Sequence, residues 1–291
     1  MKIGYVGDST LKGYHSAKRF RLASYTPELL LQTARHNIAG LEENITYSAS
    51  ERLLFYRIRS ELIPFASHPI CKEDWQKELA SEFQRVGETI SKHDMRISMH
   101  PDQFVVLNSP SEKVVQNGIA ELQYHANLFA ALNLDSTHKF QIHVGGVYDD
   151  KNASMRRFSS TYKKLPESIT KHLVIENDDR LFSVNDCYSI HEETGSPILF
   201  DNFHFSLKND GEDIRQAMEK AFSTWKSTDG IPMVDYSSQQ EGWRTGRHAD
   251  SIDIQQFQTF IEVSKGLDFD IMLEIKDKDK SALRAVTIIQ T

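Results

Sequence analysis

Cysteine is nearly absent from this chain, which has only Cys71 and Cys187. Two cysteines cannot form a disulfide framework, and neither has the local spacing of a zinc ribbon or finger. Long apolar runs are also missing, and none approaches the ~20 residues that span a bilayer. The first residues, Met1 to Gly7, read as a buried strand. They lack the charged start, apolar stretch and small-residue cleavage site of a secretory signal. The expectation is a cytoplasmic protein without membrane contact. No Gly-rich phosphate fingerprint follows the first apolar run, because Gly4-Tyr5-Val6-Gly7-Asp8 is not G-x-G-x-x-G. There is no low-complexity linker and no repeat at a period of roughly 20–50 residues. One domain over residues 1–291 is expected, a length that suits an α/β barrel.

Positive charge is in deficit, with 34 Lys and Arg against 41 Asp and Glu, a net charge of −7. Nucleic-acid binders draw much of their affinity from phosphate contacts, so this balance counts against DNA as a partner. Local patches matter more than the total, however. Lys12, His15, Lys18, Arg19 and Arg21 form one patch, and Arg156, Arg157, Lys163 and Lys164 another. Either reads equally well as a solvated face. An acidic excess is also what a metal centre requires, since bound ions neutralise its carboxylates.

What the chain does have is alternation. Short apolar runs rich in β-branched and aromatic residues precede longer amphipathic stretches. Strands are expected at residues 2–6, 54–58, 96–99, 139–144, 173–175, 198–200, 233–236 and 271–275. Helices are expected at 27–46, 73–92, 111–132, 183–193, 212–225 and 252–265. Thr26 before Pro27 is an N-cap followed by proline at the first helical position, and Gly195 stands where a helix stops. Eight βα units imply parallel strands and right-handed crossovers, and closing them on themselves gives the (β/α)₈ TIM barrel. A doubly wound open sheet is the alternative.

In a TIM barrel, functional residues lie at the C-terminal ends of strands. Six consecutive candidates place His, Asp or Glu there: His100 and Asp102, His143, Glu176 and Asp178, Asp201 and His204, Asp235, and Glu274. Alone, such a histidine is usually a hydrogen-bonded structural residue and such an acid a helix cap. Together they are costly to bury without cations. Imidazoles with carboxylates suit Mn²⁺, Zn²⁺ or Fe²⁺, and clusters of two or three such ions serve phosphate-ester hydrolysis. His36, His93, His125, His172 and His191 fall on or near helices and read as structural.

Several segments, in order, carry a recognisable pattern. They are Leu62-Ile63-Pro64-Phe65-Ala66-Ser67-His68-Pro69, Ser98-Met99-His100-Pro101-Asp102-Gln103-Phe104, His143-Val144-Gly145-Gly146 and Ile175-Glu176-Asn177-Asp178. Asp201-x-x-His204, Ser238-Gln239, Arg247-His248 and Glu274-Ile275-Lys276 complete it. Nearly end to end, the chain resembles the ultraviolet damage endonuclease family. That resemblance implies a barrel similar to xylose isomerase, with a metal site at the C-terminal face. It implies two or three divalent ions, Mn²⁺ favoured over Mg²⁺, Co²⁺ or Zn²⁺. It implies repair by cleavage of double-stranded DNA immediately 5′ of a lesion, leaving a 3′-hydroxyl, and a monomer suffices. The lesions would be cyclobutane pyrimidine dimers, 6–4 photoproducts and, in many members, abasic sites.

By the same resemblance, Glu176 matches a central bridging ligand, and His100 and His143 match ligands of one metal with His68 beside them. Asp201, Asp235 and Glu274 match a second set, and His204 and His248 further ligands or phosphate contacts. Lys276 matches a catalytic phosphate contact, Gln103 and Phe104 a pair that probes the duplex, and Tyr5 a residue of the lesion pocket. The chain departs from its relatives in having Phe104 for Tyr, Met233-x-Asp235 for Lys-x-His, and Ser9 for Asn. Met233 puts a soft thioether, a poor ligand for Mn²⁺ or Mg²⁺, where a charged group is usual. Two other readings stand beside this one. A sugar isomerase or epimerase shares the acidic progression of the later strands, and a lesion-binding protein without catalysis would need no complete ligand set.

Overall fold

In a computed structural model describing residues 1–290, eight parallel strands close in sequence order into a barrel. They are β1 (Ile3–Val6), β2 (Phe55–Ile58), β3 (Arg96–Met99), β4 (Lys139–His143), β5 (Leu173–Glu176), β6 (Ile198–Asp201), β7 (Met233–Tyr236) and β8 (Asp270–Leu273). The helices are α1 (Pro27–Ser50), α2 (Trp75–Glu78), α3 (Ala80–Lys92), α4 (Glu112–Ala131), α5 (Lys151–Tyr162), α6 (Glu167–Thr170), α7 (Val184–Thr194), α8 (Asn202–Leu207), α9 (Ile214–Phe222), α10 (Ile254–Val263) and α11 (Asp279–Ile289). Among the described residues, no helix is long and apolar enough to cross a membrane.

The expected strands are all present, and the open sheet is excluded. The helix expected at 73–92 is two helices, because Leu79 leaves helical geometry at φ −121° and ψ 19°. Local chemistry sets several of the helix starts. Thr26 caps α1 by accepting from the Leu29 amide, and Ser183 with Asp186 forms a capping box on α7, which ends at Gly195 in the left-handed region (φ 73°). Gly4 is required by close approach, since a Cβ there would lie 1.5 Å from the Phe55 carbonyl oxygen.

Strand alternation divides the barrel residues into two sets. Outward side chains such as Ile97, Ile142 and Ile271 join the main core with the helices. Inward side chains form layers. The middle layer is apolar: Phe55, Val174, Leu199, Met233 and Met272, with Val6 against them. Below it, Arg96 pairs with Asp270 at 3.0 Å and Lys139 with Asp229 at 2.6 Å, both cations lying over the Trp225 ring. Above it, at the strands' C-terminal ends, the layer is polar and carries the candidate site. Met233 is therefore a packing residue one layer below that site.

Candidate metal centre at the barrel mouth

Most candidate ligands lie at or directly after the end of a strand, whereas His68, His204 and His248 lie further along the connecting segments. Glu176 ends β5, His143 ends β4 and Asp201 ends β6, where its side chain also accepts from the His204 amide and so starts α8. Asp235 lies in β7, and Glu274 follows β8 directly. After β4 the chain must turn tightly: Gly145 has φ 110°, and a Cβ there would meet Asn108 Oδ1 at 2.5 Å. That glycine lets the loop turn away directly beyond His143.

Three groups of donors converge: His100, His143 and Glu176; Glu176, Asp201 and His204; and Asp201, Asp235 and Glu274. Within each, the ligand atoms lie within 4.8 Å of one another. Glu176 Oε2 is 3.3 Å from His100 Nε2 and 3.9 Å from His143 Nε2, while Oε1 is 3.2 Å from His204 Nδ1. His100, His204 and His248 each set Nδ1 against a backbone carbonyl, of Pro101, Asn177 and Glu274. At His100, whose Nε2 faces Glu176, a proton held at Nδ1 leaves Nε2 its lone pair, the usual support for a ligating imidazole.

The donors fit divalent ions. Glu176 Oε1, Asp201 Oδ2 and His143 Nδ1 are buried without any hydrogen-bond partner, a rare condition that a cation would relieve. Electrostatics agree. Burial opposes the Glu176 charge, but His143, His100 and His204 outweigh it and hold the carboxyl well below its usual range. Burial pushes Asp201 up to about 8 against the pull of His204, with Glu176 and Glu274 adding repulsion. Burial likewise pushes Asp235 up to about 7, although Arg57 opposes it. Acids crowded this closely retain protons unless positive charge arrives. A carboxylate–imidazole set of this composition suits Mn²⁺, Zn²⁺ or Fe²⁺.

Part of that charge comes from a residue the strand-end reading missed. Arg57 of β2 is buried beneath the mouth. Its Nη2 donates to both oxygens of Asp235 at 2.7 and 2.9 Å and to Gln141 Oε1 at 2.7 Å, and its Nη1 donates to Glu274. Gln141 in turn donates to Glu176 Oε2 at 2.8 Å and to Asp235 Oδ2 at 2.6 Å. Asp235, expected purely as a ligand, thus has every oxygen engaged by the protein. The signal was an arginine two residues after Phe55 in a strand whose alternate residues face inward.

Other expected residues are placed as follows. His100, Gln103, His248, Glu274 and Lys276 line one groove of about 650 Å³, to which Arg59 and Lys278 add positive charge. Lys276 Nζ pairs with Asp250 at 2.7 Å. Phe104 stands beside this groove, 53% exposed, on the loop after β3. His68 lies outside the three ligand groups; its Nδ1 accepts from the Ile70 amide at 3.1 Å, and its ring meets Phe65 edge-on. Tyr5 points outward from β1, fully buried, and shares a hydrogen bond with Ser48 of α1 at 3.0 Å. Ser9 is also buried and donates to Asp279. In the second basic patch, Arg157 donates to the Asn108 carbonyl at 2.9 Å. A larger cleft of about 990 Å³ lies at the opposite end of the barrel, against Arg96 and Asp270, away from these ligands.

Fold and site together define a TIM barrel whose mouth gathers carboxylates and imidazoles that could hold cations. The sequence profile of the UV-endonuclease UvdE family matches residues 1–290, and the chain belongs to that family. It is 34% identical to the UV DNA damage endonuclease of Clostridium perfringens (strain 13 / Type A), over 100% of this chain and 71% of that protein. Among solved structures it is similar to the crystal structure of SacUVDE, with a TM-score of 0.95 and 41% identity, covering 100% of this chain and 98% of the other. A structure of L-ribulose 3-epimerase also aligns, with a TM-score of 0.63 and 14% identity over 98% and 93% of the two chains, and shows the shared barrel alone. The family is one of DNA-repair endonucleases, which sets the isomerase reading aside.

Proposed function

We propose that this protein nicks ultraviolet-damaged double-stranded DNA immediately 5′ of a lesion, leaving a 3′-hydroxyl. Its substrates are cyclobutane pyrimidine dimers, 6–4 photoproducts and abasic sites, and it acts as a cytoplasmic monomer. Two or three divalent ions, Mn²⁺ before Mg²⁺, Co²⁺ or Zn²⁺, are held by His100, His143, Glu176, Asp201, His204, Asp235, His248 and Glu274. When bound, such ions lower the pKa of water and draw charge from a phosphate and its leaving oxygen.

The observation that carries this reading is Glu176. Its carboxylate belongs to two ligand groups at once, and its Oε1 is buried with no hydrogen-bond partner. In this reading Glu176 binds between the two groups and fixes their separation, while Gln141 orients it. Lys276, with Arg59 and Lys278, holds the DNA phosphates in the groove. Gln103 and Phe104 enter the duplex, where an aromatic side chain fills the gap left by displaced bases, and damaged bases are the cheapest to displace. Phe104 stacks as the relatives' Tyr would, without a hydroxyl contact. His68 and Tyr5 remain assigned by resemblance alone, as a ligand beside His100 and a lesion-pocket residue.

The test is a nicking assay on irradiated and unirradiated supercoiled plasmid, with Mn²⁺ or with EDTA. Nicking of irradiated plasmid alone, abolished by EDTA, supports the reading. A folded protein that nicks neither plasmid with Mn²⁺, Mg²⁺, Co²⁺ or Zn²⁺ overturns it.

A further inference from the structure

Large apolar side chains are exposed at few places, and most of those places are on one face. Leu11, Leu22, Phe104, Tyr148, Leu181 and Trp243 all stand in segments that lead from the C-terminal end of a strand to the next α-helix. Trp243, on the loop between β7 and α10, is the most exposed of them at 59%. The guanidinium carbon of Arg247 lies 3.3 Å from its ring centroid, so one face of the indole is covered by a stacked cation.

This loop is built, not loose. Gln240 N donates to Arg247 O at 2.8 Å, and Ala249 N to Ser238 O at 2.9 Å. The Gln239 side chain donates to the carbonyls of Gln240 and Arg244 and accepts from the Gly246 amide, all within 2.9–3.0 Å. Arg247 itself is held only loosely by Asp250, at 3.4 Å, and its Nε is buried with no partner. The next residue, His248, packs on Phe203 and stands 3.9 Å from Glu274, so the base of the loop reaches the metal centre.

Position on the rim gives the loop its meaning. In a closed ring of eight strands, β3 and β7 are diametrically opposed. Phe104 and Trp243 therefore stand on loops that leave opposite sides of the barrel, whose mouth carries the carboxylate cluster. An exposed indole backed by a guanidinium is a stacking surface for nucleobases, indifferent to base identity because every base has a π face.

Resting on the endonuclease reading above, we propose that Trp243 and Arg247 form a second base-stacking platform, on the rim opposite Phe104. It receives an unstacked base of the bound DNA, while Arg247 adds positive charge beside the phosphates. The platform gives an acidic chain affinity that depends little on its net charge.

The test uses the full chain carrying Glu176→Gln, in buffer containing Mn²⁺, so that the duplex is not cut. It compares this protein with the same protein also carrying Trp243→Ala or Trp243→Phe. Binding to duplexes with and without a single photodimer is read by fluorescence anisotropy, and stacking by quenching of indole emission. Trp75 is buried and Trp225 partly buried, so the quenchable emission is that of Trp243. DNA should quench the parent, and Trp243→Ala should remove the quenching and weaken binding roughly 10-fold, the effect of one lost base stack. Trp243→Phe should restore most of the affinity, and all three proteins should melt together because the ring is exposed.

Unchanged quenching and affinity in Trp243→Ala overturn the platform. So does a concentration-dependent dimer of the parent that Trp243→Ala abolishes, because the ring then serves a second copy of the chain. If unmodified protein nicks irradiated plasmid while either result holds, the platform alone fails. If it nicks neither plasmid, the endonuclease reading has failed first.

Discussion

Arg57 and Asp235 meet beneath the barrel mouth, where one guanidinium nitrogen donates to both carboxylate oxygens at 2.7 and 2.9 Å. Neither side chain reaches solvent: their exposures are 2% and 0%. The same guanidinium also reaches Glu274 and Gln141, so one buried cation serves two acids and the amide that positions Glu176. Removing one partner of a buried pair leaves an uncompensated charge, at a cost of about 3–5 kcal/mol. Arg57→Met should therefore lower stability to urea by that order in EDTA, and Mn²⁺ should recover part of the loss by neutralising the stranded acids. Arg57→Lys should fall between, since it keeps the charge and loses the fork. Equal urea midpoints for Arg57→Met and the parent would show that the pair contributes nothing.

The engagement of Asp235 ranks the ligands. Glu176 joins two donor groups and has an unpartnered oxygen, whereas both oxygens of Asp235 already accept hydrogen bonds. Equilibrium dialysis against Mn²⁺ should show Glu176→Gln losing more bound metal than Asp235→Asn. Nicking should vanish in Glu176→Gln with the fold retained by circular dichroism. An active, folded Glu176→Gln would defeat the metal mechanism, and equal metal loss in the two variants would make Asp235 a full ligand.

Gln103 and Phe104 lie on the β3 loop, outside all three donor groups. Replacing both with alanine should leave Mn²⁺ binding unchanged. It should reduce the preference for irradiated over intact duplex by about 10-fold or more, on the scale of one or two lost stacking contacts. Unaltered selectivity in competition binding would remove these residues from lesion recognition.

The barrel was readable in the sequence because each βα unit repeats the same local pattern. What was not readable lacked a local cue. Helix α5 carries only a thin apolar line, Met155, Phe158 and Tyr162, among Ser, Asn, Lys and Arg. Helix α11 follows the last strand and begins at the buried Asp279, which accepts hydrogen bonds from Ser9 and Thr10 some 270 positions earlier. The acids and histidines of strands three to eight were legible because barrel geometry says where to look. Arg57 was hidden by its neighbours: between Tyr56 and Ile58 it looks like an interruption of an apolar run, and its partner Asp235 is 178 positions away. Tyr5 was assigned by resemblance, whereas alternation along β1 turns Gly4 and Val6 inward and Tyr5 out toward α1.

Acid stability provides a test away from the candidate metal centre. Burial pushes the His172 imidazole down to about 4. Its Nδ1 hydrogen-bonds the His138 carbonyl at 2.8 Å, and its ring lies against Phe129 and Phe140. The unfolded chain titrates this histidine near 6.5, so as pH falls the unfolded state takes the proton first. Stability from this residue is complete above the unfolded value and drains away as pH falls toward the folded one. The slope is about 1.4 kcal/mol per pH unit for one proton. Asp201 and Asp235, pushed up to about 8 and about 7, work in the opposite direction in metal-free protein. A comparison between variants cancels them. His172→Leu removes one titrating group and one hydrogen bond, so it should be less stable than the parent at pH 7. The gap should close by about that slope per unit as pH is lowered from 6.5 to 4, measured by urea unfolding in EDTA. A constant gap across that range would mean that His172 is not held neutral in the folded protein.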